Sequence, residues 1–376
     1  MADPEIGARI GRWRRRRGLS QVVLAGLVGR SESWLSQVER GMRGVDSLVV
    51  LRDLARVLRV AVDDLAPESV APSHRPDRPI GDDVGRALFA PGPAEPCSGS
   101  GVADVHAAYQ DARYADVLSR LPTLMAQLAA TADPRVLAAG WTVAAKMLTK
   151  VGSDDLAVIA AERGRDAARR SGDRADLGMV TYQVVCALLA TGRADIAEEL
   201  AMQAAADPTD DDAVRSVSGA LLLIAAVAAA RRGDADAATE RLAHAQHHAD
   251  AVGRDANLRW TAFGPTNVAL HRVSVAAELG DAPAALAAVA RLDPSRFAPE
   301  LRGRRAQVGL DLAWAHTCRK QDADAVLALL DVERVTPEVL RHNVYARSTI
   351  GTLRSRSRGT AGGHIRALAA RSGVAP

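Results

Sequence analysis

The feature that most constrains the fold of this chain is an internal repeat. Six short segments share one pattern, and they begin at residues 112 (ARYADV), 152 (GSDDLA), 192 (GRADIA), 233 (GDADAA), 280 (GDAPAA) and 321 (QDADAV). In each segment a small or polar turn comes first, and a second helix follows that begins with Asp or another polar residue and has an alanine-rich face. A single hairpin cannot bury its apolar face alone, so the repeat predicts helical hairpins stacked side by side.

Composition also favours helices. Hydrophobic residues make up 48% of the 376-residue chain, whereas aromatic residues make up only 3%. Alanine supplies much of the apolar content, and it is the best helix former, while strands prefer branched and aromatic side chains. We therefore expect an all-α fold.

Charge and turn-forming residues divide the chain into four parts. Residues 67–101 are rich in Pro, Gly and Ser, and predict a linker with one short turn near Val84 to Phe89. Residues 1–66 contain twelve Arg against eight Asp and Glu, and residues 338–376 contain seven Arg against one Glu. Basic ends are typical of a polyanion partner. Between them, residues 102–337 predict a helical-repeat domain, which the basic C-terminal segment would cap.

Other sequence features indicate a cytoplasmic protein without a cofactor. The three cysteines are widely spaced and form no CxxC pair, as expected in a reducing compartment. His244, His247 and His248 share a helix face, but no carboxylate or thiol completes a metal site, so none is expected. The longest apolar run, at residues 220–230, is shorter than the ~20 residues that span a bilayer, and the polar start is unlike a signal peptide.

The N-terminal segment has the pattern of two short helices joined by a tight turn. Ser20 precedes QVVLAGLV, Ser31 precedes ESWLSQVER and Ser47 precedes LVVLRDLARVL, and each serine can cap a new helix. The dipeptide GR leaves room only for a tight turn, which predicts helix-turn-helix geometry. The expected buried residues are Ile6, Ile10, Leu19, Leu24, Ala25, Val28, Leu35, Val38, Leu48, Leu51, Leu54, Ala55 and Leu58.

The order GLSQ, LA, a small residue, S…LSQ.ERG and LVVLRDLARVL resembles the Cro/repressor type of helix-turn-helix, also called the XRE family, over roughly residues 6–65. The resemblance implies a five-helix DNA-binding domain with a recognition helix at Glu32 to Arg40. Its outer face is expected to meet base edges, and nearby arginines are expected to neutralise phosphates. The residues expected at the DNA are Arg12, Arg15, Gln21, Ser31, Glu32, Ser33, Trp34, Gln37 and Arg43.

Individual roles within this set have alternatives. Gln21 is implied to contact the DNA backbone, and Gln37 to read a base edge through two hydrogen bonds, although Gln37 also fits plain solvated surface. Trp34 could instead shield the junction between the two helices. Glu32 suits DNA only as an acceptor for a cytosine amino group, because phosphates repel it.

The repeat resembles the tetratricopeptide family, in which glycine opens the turn between the two helices and a small residue on the second helix lets the hairpin close. The matching pairs are Gly192 with Ala197, Gly233 with Ala238 and Gly280 with Ala285. The period is nearer 40 than 34 residues, and most of the large aromatic positions are absent. The chain thus predicts an α-solenoid of tetratricopeptide-like hairpins, with a generic alanine-rich hairpin array as the alternative.

The same resemblance places four residues on the concave face of the array, where this family binds extended peptides through amides and charges. These candidate effector contacts are Lys146, Tyr182, Asn267 and Asp311. Asn267 lies in the segment RWTAFGPTNVALHRV and fits a capped helix start equally well.

Together these features predict a sequence-specific transcriptional regulator that binds a double-stranded DNA operator as a homodimer. Its tetratricopeptide-like domain would bind a peptide, small-molecule or protein effector and modulate operator binding, an architecture implied by the resemblance to bacterial peptide-responsive regulators. The alternative is a DNA-tethered interaction scaffold or antitoxin-like module. An enzyme is not expected, because no HExxH, P-loop, dinucleotide glycine motif or nucleophile elbow is present.

Overall fold

The computed structural model describes residues 4–16, 19–45, 48–58, 65, 80–205, 210–293, 301–356 and 359–374, and the regular elements within these ranges are helices. This confirms the all-α fold. Contacts divide the chain into two compact units, residues 1–75 with 350–376 (the first unit) and residues 76–349 (the second unit).

The first unit begins with the helices α1 (Pro4–Arg16), α2 (Gln21–Leu27), α3 (Glu32–Glu39) and α4 (Leu48–Leu58). Their apolar faces form one core that contains the expected buried residues, with Ile6 and Leu19 half-buried against it. Three expected features lie outside the described residues: the side chain of Leu48, the cap at Ser47, and the fifth helix implied by the resemblance, of which Leu65 alone is described.

A close approach fixes α1 against α3. A Cβ at Gly7 would lie 1.9 Å from the carbonyl oxygen of Val38, so no larger residue fits at this position without moving one of the helices. The GxxxG spacing of Gly7 and Gly11 along α1 therefore provides the contact face for α3.

The second unit starts with α5 (Ile80–Phe89), which packs against the second helix of the first hairpin. The sequence predicts a linker with one short turn here, and the structure instead forms a ten-residue helix. The physical reason is the spacing of Val84 and Leu88, which places two apolar side chains on one helix face, where both are buried.

Six helical hairpins follow. They are α6 (Gly99–Gln110) with α7 (Tyr114–Ala130), α8 (Pro134–Lys150) with α9 (Asp154–Ser171), α10 (Arg174–Ala190) with α11 (Ala194–Ala204), α12 (Asp212–Arg231) with α13 (Ala235–Val252), α14 (Pro265–Glu278) with α15 (Ala282–Val289), and α16 (Arg302–Cys318) with α17 (Asp322–Val335). Each first helix contacts the first helix of the next hairpin, so these helices form a continuous layer. The chain continues into α18 (Pro337–His342), α19 (Val344–Arg356) and α20 (Gly359–Arg371).

The turns of the hairpins follow one backbone rule. The second residue after each first helix has a left-handed backbone, and the residue five positions beyond it is fully buried. The left-handed residues are Ala112, Gly152, Gly192, Gly233, Gly280 and Lys320, and the buried ones are Val117, Ala157, Ala197, Ala238, Ala285 and Ala325. The three glycine–alanine pairs expected from the sequence are confirmed. The turn of the last hairpin begins at Lys320, one residue before the start that the sequence predicts at Gln321.

The aspartates of the repeat cap the second helices. The side chains of Asp234 and Asp281 accept hydrogen bonds from the backbone N–H groups of Ala237 (3.0 Å) and Ala284 (2.9 Å). These bonds satisfy donors that a helix start otherwise leaves unpaired, which explains the Gly-Asp order at two of the turns.

The helix α12 is the central apolar element of the second unit. Among the described helices, it has the length and hydropathy of a membrane span, and 89% of that stretch is buried within the protein. Gly219 lies at its closest contact, because a Cβ there would be 2.0 Å from the Cζ atom of the buried Phe263.

The two ends of the hairpin array meet. Arg302 of α16 lies 3.8 Å from Asp111, which follows α6, and Glu338 of α18 accepts a hydrogen bond of 2.8 Å from the backbone N–H of Ala115 in α7. The first and last hairpins are therefore neighbours, and the array encloses the side chains on its inner layer.

Candidate DNA-contacting and effector sites

The helix α3, the predicted recognition helix, is capped and anchored as the sequence predicts. The Ser31 hydroxyl accepts a hydrogen bond of 3.2 Å from the backbone N–H of Trp34, and Leu35 and Val38 are buried in the core. Glu32 and Ser33 are exposed at the start of the helix. The half-buried side chain of Gln37 lies one turn further along the helix.

Trp34, one of the residues expected at the DNA, is mostly buried. Its ring is only 8% exposed and belongs to the core of the first unit, with the Arg30 guanidinium 5.8 Å from the ring centroid. Trp34 is the third residue of α3, and its ring packs inward in that core. This burial fits the alternative in which Trp34 shields the junction between the two helices, and its contact with DNA stays a prediction.

A buried carboxylate ties the first three helices together. Glu39 at the end of α3 accepts hydrogen bonds from Arg14 of α1, at 2.6 Å from Nε and 2.9 Å from Nη2, and from the Gln21 side chain of α2 at 2.8 Å. Arg14 also donates to the carbonyl oxygen of Leu19 at 2.7 Å. The Gln21 amide, expected at the DNA backbone, thus donates within the domain, and its contact with DNA stays a prediction.

The environment of Glu39 favours its charged form. Burial raises the pKa of Glu39, but the hydrogen bonds from Arg14 and Gln21 and the charges of Arg14 and Arg15 outweigh burial and hold the pKa below its ordinary value. Glu39 therefore stays ionised at neutral pH and keeps α3 fixed on α1 and α2.

An open cleft of about 580 Å³ lies beside this carboxylate, between α1, α2 and the outer face of α3. Arg15, Glu32 and Arg40 line it, together with Gln21. The expected phosphate contacts Arg12, Arg15 and Arg43 are all exposed. The surface beside the recognition helix is thus mainly cationic.

In the second unit, the structure brings three of the four candidate effector residues around an arginine that sequence reasoning missed. Arg304 of α16 donates to the Asn267 side-chain oxygen at 2.9 Å and to the Thr261 carbonyl oxygen at 3.2 Å. Its charge lies close enough to perturb the pKa of Lys146 and Tyr182. The other groups that it perturbs are Tyr109, Lys150, Cys186 and His271.

Asp311, the fourth candidate, lies apart from this cluster. It is two helical turns beyond Arg304 on α16, about 10 Å along the helix axis. Ser274 and Gln307 donate hydrogen bonds to its carboxylate at 2.7 Å and 3.0 Å. Burial raises the pKa of Asp311 to about 7, although these hydrogen bonds oppose the shift. Its role in effector binding stays a prediction.

The segment between α13 and α14 crosses the inner layer of the array, and we call residues 257–262 the strap. Its base is closed by a backbone hydrogen bond of 3.0 Å between Ala256 and Phe263. The strap has three left-handed residues that are not glycine: Arg259, Trp260 and Ala262, at φ 51°, 61° and 50°. Each such residue costs of order 1–3 kcal/mol and persists only where the surroundings hold it.

Contacts from four helices hold the strap. The ring of Trp260 stacks on His106 of α6 at 4.7 Å between centroids. Asn257 and Gln110 exchange two side-chain hydrogen bonds, at 2.8 Å and 3.0 Å. Lys146 of α8 donates to the Trp260 carbonyl oxygen at 3.3 Å. Arg304 of α16 donates to the Thr261 carbonyl oxygen, as described above. Arg259 forms ion pairs with Asp173, just before α10, and with Asp176 of α10, at 2.6 Å and 2.8 Å.

Comparison with known proteins finds a family model that matches the N-terminal part of the first unit. Residues 5–67 match the family model of a helix-turn-helix domain. No curated protein matches the chain. A solved structure of a PrgX mutant aligns over 99% of this chain and 96% of its own at 11% identity, with a TM-score of 0.22, which is too low to bear on function. The matched residues cover α1 from its second residue, α2 to α4, and the caps Ser20 and Ser31, so the N-terminal unit of this chain carries a helix-turn-helix domain, the DNA-binding module of transcriptional regulators.

Proposed function

We propose that this protein is a transcriptional regulator that reads an operator in double-stranded DNA with α3 and responds to an effector bound in its second unit. The observation that supports operator reading is the division of α3 into two faces. Leu35, Val38 and Trp34 anchor it in the core, while Glu32, Ser33 and Gln37 face away from the core. A helix held in this way can lie in the major groove, where base edges differ in their donors and acceptors.

The arginines beside α3 support phosphate contacts. Arg12, Arg15 and Arg43 are exposed, and Arg15 shares the cleft with the start of the recognition helix. Phosphate contacts position a protein on the duplex, whereas base contacts specify the sequence. We therefore assign affinity to these arginines and sequence preference to Gln37, with two copies of the chain bound to two half-sites.

Replacing Gln37 with alanine tests this assignment. An operator is first selected from random DNA with the full-length protein, and gel shifts then compare operator with scrambled DNA. Gln37→Ala should weaken operator binding by about 1–3 kcal/mol, as for one lost bidentate base contact, and leave binding to scrambled DNA unchanged.

Gln203→Ala is the matched control, because it removes the same amide from an exposed position of the second unit. It should bind both DNAs like the wild type. Equal losses on operator and scrambled DNA for Gln37→Ala would show that Gln37 positions or stabilises the domain, and the base-reading assignment would then be wrong.

The second unit supports effector binding through its inner layer. Three candidate residues from separate hairpins converge on Arg304, beneath a strap whose backbone is held in an unfavourable conformation. An effector changes DNA affinity only if it binds one state of the protein better than another. Since the module acts on DNA, we place the protein in the cytoplasm, at the nucleoid.

A further inference from the structure

Positive charges converge inside the hairpin array, and the described part of the array pairs no carboxylate with them. Lys146, Lys150 and Arg304 come from α8 and α16, and among the described residues none of the three forms an ion pair with Asp or Glu. Lys146 and Arg304 donate instead to neutral oxygens, those of Trp260, Thr261 and Asn267. The carbonyl groups that they contact on the strap belong to the consecutive residues Trp260 and Thr261, and the charge of Arg304 is close enough to lower the pKa of Lys146.

This arrangement is unfavourable without a further partner. Lys146 is only 8% exposed, and a buried charge is costly unless an opposite charge pairs with it. Burial and the charge of Arg304 lower the pKa of Lys146 to about 7, which shows that its charged form is poorly stabilised. A negative group placed between the two cations would remove this penalty.

A hydrogen-bond donor faces the same region. The Asn267 side chain is 3% exposed, and its oxygen accepts from Arg304, but its Nδ2 atom has no hydrogen-bond partner among the described residues. Buried polar groups in proteins are almost always paired, so an unpaired amide beside the Arg304 guanidinium indicates a missing acceptor. An oxygen of an anionic ligand meets that need.

We propose that Lys146, Arg304 and the Asn267 amide form a binding site for a small ligand that carries a carboxylate or phosphate group. This inference rests on the proposal that the second unit binds an effector, and it names the chemistry of that effector. The oxyanion takes the place of the strap carbonyl groups of Trp260 and Thr261 as acceptor for the two cations. Charge-assisted hydrogen bonds of this kind are about twice as strong as those to neutral acceptors.

The site has a defined pH dependence. Lys146 faces Arg304 from α16, Cys186 from α10 and His106 from α6. Burial raises the pKa of Cys186 to about 11 and lowers that of His106 well below its ordinary value, so both are neutral near pH 7, and the guanidinium stays charged. Lys146 is therefore the group that titrates. An anion raises its pKa, so binding above pH 7 takes up a proton and weakens as pH rises.

Calorimetric titration of the full chain with two probes, inorganic phosphate and succinate, tests the site. We expect at least one probe to bind the wild type at millimolar concentration, and the probe that binds tells phosphate from carboxylate recognition. Its affinity should fall about tenfold or more in Arg304→Gln and Lys146→Met, because each removes one charge-assisted contact. Arg193→Gln, which removes an exposed arginine from a hairpin turn, should leave it unchanged.

Two further measurements separate a binding site from a structural cluster. At pH 8, titrations in buffers of different ionisation enthalpy should show proton uptake in the wild type and none in Lys146→Met. Without ligand, Lys146→Met should melt at a higher temperature than the wild type, because an unbalanced buried charge is gone. A lower melting temperature with unchanged probe binding would overturn the proposal.

The outcomes also distinguish this site from the proposed function. If neither probe binds, or if both variants bind as the wild type does, the anion site is wrong, and operator binding by α3 is unaffected by that result. If a probe binds at this site but gel shifts show no change in operator affinity at saturation, the anion site stands and its role as the effector site fails.

Discussion

The buried pair of Arg14 and Glu39 predicts a large and non-additive response to mutation. Their side chains are 12% and 7% exposed, and the guanidinium meets the carboxylate through two hydrogen bonds. Removing one partner leaves an uncompensated buried charge, which typically costs about 3–5 kcal/mol. A domain of this size has a total stability of roughly 3–10 kcal/mol, so Arg14→Met or Glu39→Gln should unfold much of the first unit.

Removing both charges should cost much less than the sum of the single changes. In the double variant no buried charge lacks a partner, and the remaining loss is that of ordinary hydrogen bonds, about 1–2 kcal/mol. We therefore expect a coupling free energy of about 2 kcal/mol or more between the two positions. Replacing Glu39 also removes the carboxylate that accepts the hydrogen bond from Gln21.

Hydrogen exchange in the full-length protein measures the stability of the first unit separately from that of the rest of the chain. Mass spectrometry of peptides from residues 4–45 reports the opening free energy of α1 to α3 in the wild type, both single variants and the double variant. Arg169→Met is the control, since its ion pair with Asp166 is exposed and should contribute no more than about 1 kcal/mol. Additive losses, or single losses below that of the control, would refute the argument.

Three other predictions follow from the two units. Because Glu39 has a lowered pKa, its stabilisation is complete above its unfolded value of about 4.3 and disappears as pH falls through the folded value, so acid titration of hydrogen exchange should destabilise the wild type more steeply than Glu39→Gln. Gly219→Ala should cost about 1–3 kcal/mol in thermal unfolding because of Phe263, whereas Gly85→Ala in α5 meets nothing within 4 Å and should be neutral or stabilising. Footprinting should show two half-sites about one helical turn apart, with affinity that falls steeply with salt, and a single half-site would contradict binding as a dimer.

Local features of this fold could be predicted from the sequence because their causes are local. Ser20 and Ser31 cap the helices that follow them, and the glycines of the repeat adopt the left-handed backbone that ends a helix. The register of the last hairpin was missed by one residue, because Lys320 takes this conformation without being glycine.

The candidate effector site could be predicted only in part. The hairpin offset placed Lys146, Tyr182 and Asn267 on one face, since helical spacing is regular within a repeat. Arg304 gave no local signal, because its contacts come from segments about 40 residues away in sequence. The strap follows no periodic pattern, and its left-handed Trp260 is stabilised by a stacked ring from the first hairpin rather than by its neighbours in sequence.

The meeting of the two ends of the hairpin array has a consequence for how the second unit unfolds. In a linear array each terminal repeat has one neighbour, so unfolding starts at an end and proceeds repeat by repeat. Here the last hairpin and the helix after it also contact the first hairpin, through Arg302 of α16 with Asp111 and through Glu338 of α18 with Ala115. No hairpin can then unfold without breaking its interfaces with two neighbouring hairpins. The array should therefore lose its structure in one cooperative step, and a perturbation at any one hairpin is shared by all of them.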